Sequence, residues 1–152
     1  MTNERFEELY ARTEPAIRRA LVAAYGRDLG NEATDDAFAW AWANLEKVLD
    51  LENPAGYLYR VGQSSAKALR PRTPPSTGRL WYSPIEVDDR LAGALVRLTT
   101  KQRVAAVLHF GYALTYLEVA ELMGISATAA QSHADRGMKK LRAAIPERIP
   151  DV

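Results

Sequence analysis

The chain has 152 residues, 47% apolar and 26% charged, with a net charge of +1, a balance typical of a globular protein of one domain or two small ones. It contains no cysteine, which excludes disulfides and thiolate metal sites and suits a reducing compartment. No apolar run is long enough to span a bilayer and the start lacks a signal-peptide pattern, so the sequence predicts a soluble, cytoplasmic protein without a membrane partner.

Charge is unevenly spread, with nine basic and eleven acidic residues over 1–70 but eight and five over 91–152, a hint of different partners at the two ends. From Asn3 to about Arg70 the apolar residues keep helical spacing: Phe6, Leu9 and Tyr10, then Ile17, Leu21 and Tyr25. Pro15 is expected to begin a second segment or to kink the first. Gly26 and Gly30 are expected to close that segment, with Asn31 capping the next helix, EATDDAFAWAWANLEKVL. A break at DLENPAG precedes a helix from Tyr57 to Leu69. RPRTPPSTGRLWYSP, with four prolines, reads as an extended connector. Helices resume at Asp89 with DRLAGALVRL, TTKQRVAAVLHFGYAL, TYLEVAELM and Ser126 to about Ile145. The expected fold is all-α: two small helical domains, 1–70 and 91–152, joined by a Pro-rich linker at 71–90. The second is expected to be a helix-turn-helix bundle without a wing.

The turn is written in GISATAAQSHADRG. Thr115 and Glu118 have the spacing of a capping box at a helix start. Gly124 suits the left-handed residue that stops a helix, and Ser126 caps the next. Ala120, Gly124 and Ala130 keep helix-turn-helix spacing, in which a small residue lets two helices cross closely. Ala130, Ala134, Gly137 and Leu141 share one packed face. The opposite face carries Thr128, Gln131, Ser132, Asp135 and Arg136, with Lys139, Lys140 and Arg142 beyond. Gln131 and Ser132 suit base edges, and Arg136 and the lysines suit phosphates. Asp135 repels phosphate and accepts only from a cytosine amine. Taken alone, the segment fits a solvated amphipathic helix as well as it fits a DNA reader.

Read together, the two blocks resemble the ECF (extracytoplasmic-function) sigma factors of the bacterial sigma-seventy superfamily, from Phe6 to Ile145. FEELYARTEPAIRRAL resembles their opening helix, and EATDDAFAWAW their polymerase-binding segment. NPAGYLYRVGQSSAKALR is similar to the stretch that meets the −10 element, and LVRLTTKQRVAAVLHFGYALTYLEVAELMGIS to the closing −35-reading domain. The resemblance implies promoter-directed transcription initiation, with core RNA polymerase and promoter DNA as partners. Members are often held by an anti-sigma factor, which adds such a partner to the expectation. Glu32, Asp35 and Asp36, an acidic stripe at helical spacing, would with Phe38 and Trp42 dock on polymerase. Tyr57, Arg60, Gln63, Ser64, Lys67 and Arg70 would meet the opened −10 strand. Lys101, Arg103, Thr128, Gln131, Ser132, His133, Arg136 and Lys139 would serve the −35 element.

The chain departs from the family pattern by being poorer in cations. Gln63-Ser64 replaces an Arg-Asn pair, and Gln131, His133 and Asp135 stand where basic or bulky residues are usual. This keeps an alternative open: a sigma-like regulator or adaptor that binds polymerase or another protein but reads little DNA. In the linker, Trp81 and Tyr82 would contact a polymerase channel or fold back on a domain. Its 20 or so residues reach at most roughly 66 Å at ~3.3 Å each. One and a half turns of duplex measure on the order of 50 Å at ~3.4 Å per base step, so one chain can serve both elements. No nucleophile–base pair, metal-ligand cluster or phosphate loop is present, so the sequence predicts neither an enzyme nor a cofactor. His109, among apolar neighbours, reads as structural.

Overall fold

A computed structural model describes residues 2–69 and 89–145, and every regular element among them is helical. Helix α1 (Thr2–Tyr25) runs unbroken through Pro15. A proline inside a helix lacks its N–H and crowds the carbonyl four residues back. Here Ala11 and Pro15 are both exposed, so solvent can take that carbonyl and the expected break does not occur. The helix ends where Gly26 turns to φ 90°, and α2 (Arg27–Ala43) begins at once. Gly30 lies inside α2 rather than before it, where a Cβ would fall 2.5 Å from Val22 Cα. The α1–α2 crossing therefore needs a residue without a side chain. Asn31 is not the expected cap either: its side-chain oxygen accepts from Arg18 Nη1 at 2.9 Å.

Asn44 divides the long predicted helix, its Nδ2 donating to Trp40 O at 2.9 Å, and α3 (Leu45–Leu49) follows. Helix α4 (Pro54–Leu69) starts three residues before the expected Tyr57. Asn53 Oδ1 accepts from Gly56 N at 3.0 Å, and Pro54 sits at the first position, where its missing N–H costs nothing. Leu9, Ile17, Leu21, Phe38, Leu58 and Tyr59 fill the interior between these helices.

In the second block, α5 (Asp89–Arg97) leads into α6 (Thr100–Ala106), which widens into a π-helical turn at Val107–Gly111. The loop that follows holds Ala113 at φ 62°. Then come α7 (Tyr116–Met123) and α8 (Ala127–Ala144). The two blocks do not lie apart. Leu9, Leu21 and Leu58 belong to one continuous apolar cluster with Val104, Leu108, Val119 and Ala130. A smaller cluster joins Ala92, Leu95 and Leu98 to Leu141 and Ile145.

Candidate functional site

The helix-turn-helix forms as its sequence requires. Thr115 Oγ1 accepts from Glu118 N at 3.1 Å and Glu118 Oε1 accepts from Thr115 N at 2.9 Å, completing the capping box. Those bonds pull the exposed Glu118 carboxyl below its ordinary pKa. Gly124 takes φ 69°, Ile125 N donates back to Ala120 O at 3.0 Å, and Ser126 Oγ accepts from Ala129 N at 3.0 Å. Ala130, Ala134, Gly137 and Leu141 are all buried. A Cβ at Gly137 would stand 2.9 Å from Gln102 O, so α8 crosses α6 almost backbone to backbone. A second capping box joins Thr99 to Gln102. Its threonine-x-x-glutamine spacing is present in TTKQ and was readable there. Gln102 Oε1 also accepts from Lys140 Nζ at 2.9 Å, tying α8 to the start of α6.

The outer face of α8 is open. Thr128, Gln131, Arg136 and Lys139 are exposed, Ser132 and His133 are half-buried, and Lys101 is exposed on α6. Burial, then the nearby charges of Lys101 and Arg136, hold the His133 pKa below the ordinary histidine value. The ring is thus neutral at neutral pH in the free chain, with its Nδ1 buried and unpartnered. Asp135 is restrained: Tyr116 donates its hydroxyl to Asp135 Oδ1 at 3.2 Å, and the Tyr116 ring stacks on His109 at 3.9 Å. His109 in turn pairs its Nδ1 with Leu114 O at 2.7 Å, which gives this histidine its structural place. The role of Tyr116 was not visible in the sequence, because a tyrosine at the start of an amphipathic helix carries no mark of its partner.

Arg103 is a correction. Expected on the surface as a phosphate contact, it is only 7% exposed, and its guanidinium donates to Ala23 O at 2.6 Å, Ala24 O at 2.8 Å and Leu98 O at 3.0 Å. The end of α1 presents carbonyls that outrun the helix's own donors together with a negative dipole end, an environment that suits a cation.

Along α4, Arg60, Ser64 and Lys67 are exposed and Gln63 is half-buried; Arg70 lies outside the described residues, as do Trp81 and Tyr82. Tyr57 is half-buried, its ring centre 5.4 Å from that of Trp40, with the Arg60 guanidinium 5.7 Å from the centre of the Tyr57 ring. Tyr59, the inward member of the pair, is buried, and burial raises its phenol pKa.

The acidic stripe on α2 is solvent-facing, with Glu32, Asp35 and Asp36 all exposed. It carries partners of its own. Arg18 on α1 donates to Asp35 Oδ1 at 2.8 Å, and Ser65 on α4 donates to Asp36 Oδ2 at 2.6 Å. Trp42 is 48% exposed and meets Phe6 edge-on at 5.2 Å. Phe38 is the second correction: at 4% exposure it packs against Tyr10 inside the fold, and it supports the ridge rather than docking from it. Among the described residues no three His, Asp or Glu side chains are grouped to hold a metal, and no helix is long and apolar enough to cross a membrane.

Comparison with known proteins supplies the remaining observation. Residues 88–141 match the family model for sigma-70, region 4. The matched stretch takes in the helix-turn-helix and the two helices before it. The chain is also 47% identical over 58 residues to the ECF RNA polymerase sigma factor SigJ of Mycobacterium tuberculosis, which covers 37% of this chain and 19% of that relative's length. Among solved structures, the sigma factor RpoE of Bartonella quintana, in complex with the anti-sigma factor NepR, superposes with a TM-score of 0.69 over 95% of this chain and 98% of that one, at 19% identity. CnrH, in complex with the cytosolic domain of CnrY, superposes with a TM-score of 0.64 over 95% and 89%, at 25% identity. The expected all-α fold and the resemblance to ECF sigma factors are therefore borne out, with the region 4 domain placed where the helix-turn-helix was read.

Proposed function

We propose that this chain is an ECF-type RNA polymerase sigma factor that acts in the cytoplasm. It binds core polymerase through the α2 ridge and directs it to promoters through α4 and α8. The observation that carries this reading is the region 4 helix-turn-helix with its outer face uncovered, in a chain whose fold follows sigma factors along almost its whole length. Gln131 and Ser132 read base edges, while Arg136, Lys139 and Lys101 hold phosphates. Glu32, Asp35 and Trp42 present the polymerase-facing ridge. An anti-sigma factor is a further partner in this proposal, because the similar RpoE structure was captured with one.

The test is run-off transcription with bacterial core polymerase and the purified chain, on promoters identified by mapping the sites it occupies with polymerase. Promoter-specific initiation is expected. A second reading is favoured by the exposed Asp135 and the withdrawn Arg103, which leave the reading face short of cations. On that reading the chain is an adaptor that binds polymerase without opening a promoter. Core binding without initiation on any mapped site would establish it, and absence of core binding would dismiss both.

A further inference from the structure

We propose that DNA binding by the helix-turn-helix takes up one proton at His133, so that acid tightens the hold of α8 on duplex and alkali loosens it. The inference rests on the reading of α8 as the −35 helix and names a regulation of that same face. His133 lies on α8 one turn before Gly137, where the helix meets α6 almost backbone to backbone, so its ring falls at the α6 edge of the reading face. The ring is half-buried, and its Nδ1 is sealed from solvent without a hydrogen-bond partner. That leaves Nε2 as the atom DNA can meet, near exposed Arg136, three residues on, and exposed Lys101 on α6.

These surroundings oppose a positive ring in the free chain. Charging an imidazole puts a hydrogen on both nitrogens. The Nδ1–H would then be buried without an acceptor, and the charge would sit among two fixed cations. Among the described residues, the neighbouring carboxylates are turned elsewhere. Asp135 accepts from the Tyr116 hydroxyl, while Glu118 and Glu121 of α7 line a cavity with Arg12 and Asn53. Arg103 of α6 is bonded to the end of α1, and Lys140 of α8 to Gln102. The charged residues of α5, Asp89, Arg90 and Arg97, belong to a helix that packs further along α8, on Leu141 and Ile145. The other histidine, His109, is engaged with Leu114 O and the Tyr116 ring.

Duplex reverses the balance. Phosphates held by Lys101 and Arg136 offset those two charges and bring anions to the Nε2 edge, so the ring that resists a proton in the free chain accepts one in the complex. Binding and protonation then favour each other by the same factor. The bound form keeps its proton to higher pH than the free form, so affinity climbs as pH falls from the bound titration toward the free one. For a single site the climb is at most about one log unit per pH unit. His133 thereby serves as a conditional cation on a face with few permanent ones.

The phosphate part of binding is independent of sequence, so a duplex of arbitrary sequence at low salt is the probe. Proton–nitrogen correlation spectra of the histidine side chains are recorded across pH on the full-length protein, with and without that duplex. The His133 midpoint is expected to rise by about one pH unit or more in the complex. Affinity is measured in parallel at constant ionic strength. Between about pH 8 and about pH 5.5 the parent is expected to gain roughly tenfold more affinity than His133→Gln. His133→Arg, whose charge is permanent, should bind tightly at both ends of that range. A His133 midpoint that duplex does not move, or overlapping pH curves for the parent and His133→Gln, would overturn the proton linkage. The spectra need no variant, so poor folding of His133→Gln leaves the test intact. A parent that binds duplex with overlapping curves loses only the linkage, whereas a parent and a His133→Arg variant that bind no duplex at any pH lose the −35 reading as well.

Discussion

Residues 2–69 bury aromatic rings at Tyr25, Phe38 and Tyr59, whereas in residues 89–145 the buried apolar side chains are aliphatic and Phe110, Tyr112 and Tyr116 stay at the rim. The surfaces differ in the same sense. The front half turns acids outward and answers some of them with Arg18 and Ser65, while the back half leaves Lys101, Arg136 and Lys139 exposed on one side. A large ring buries 150–250 Å², so the front half has a substantial interior of its own. The back half supplements a thinner one by joining Val104 and Leu108 to the front half's apolar cluster and by bonding Arg103 to the end of α1. The difference teaches that the back half depends on its neighbour for support, and that its exposed cations are what remain after Arg103 is taken inside.

The largest test of that dependence is Leu21→Ala. Leu21 is fully buried beside Gly62, and such a deletion costs about 2–5 kcal/mol. If the halves lean on one another, chemical denaturation should show both unfolding in a single shifted transition. Two transitions, with the helix-turn-helix unmoved, would break the comparison. Gly137→Ala probes the back half alone. Its new Cβ would meet the Gln102 carbonyl, and overpacking of this kind costs about 1–3 kcal/mol, outweighing the better helix propensity of alanine. A melting temperature at or above that of the parent would mean that α8 can move off α6.

Arg136→Ala addresses the exposed cations. It is expected to weaken −35 duplex binding and to make its salt dependence shallower by about one unit in a log–log plot. An unchanged slope would show that Arg136 does not touch phosphate. The smallest effect concerns acid. The folded-state pKa of His133 is held below its unfolded value, so the unfolded chain takes up the proton first as pH falls. Stability should therefore be full above the unfolded value and decline below it. Between about pH 7.5 and about pH 5.5 the parent should lose more melting temperature than His133→Gln. An equal loss in both would remove His133 from the account.

The helix-turn-helix was legible because its signals are local. A threonine three residues before a glutamate, a glycine at a helix end and small residues on one face each fix nearby backbone, and each is found in place. The errors fall where a distant partner decides. Nothing around Arg103 in TTKQRVAAV distinguishes an arginine bound for phosphate from one bound for the end of α1, 79 residues away. Phe38 shares a helix with the acidic stripe, yet the face it joins is settled by Tyr10. Asn31 has the chemistry of a cap, but Gly26 had already started the helix. Pro15 is the converse case, a strong local signal made harmless by an exposed face.

Ala113, in the loop between the π-helical turn and α7, sits at φ 62° with a methyl group where an L-residue pays roughly 1–2 kcal/mol for a left-handed backbone. The linkage that aims the α7–α8 unit is therefore preloaded, like a hinge pin driven in slightly bent. Ala113→Gly would relax it, offering a single-atom adjustment by which the orientation of that unit could be retuned without touching any side chain on the outer face of α8.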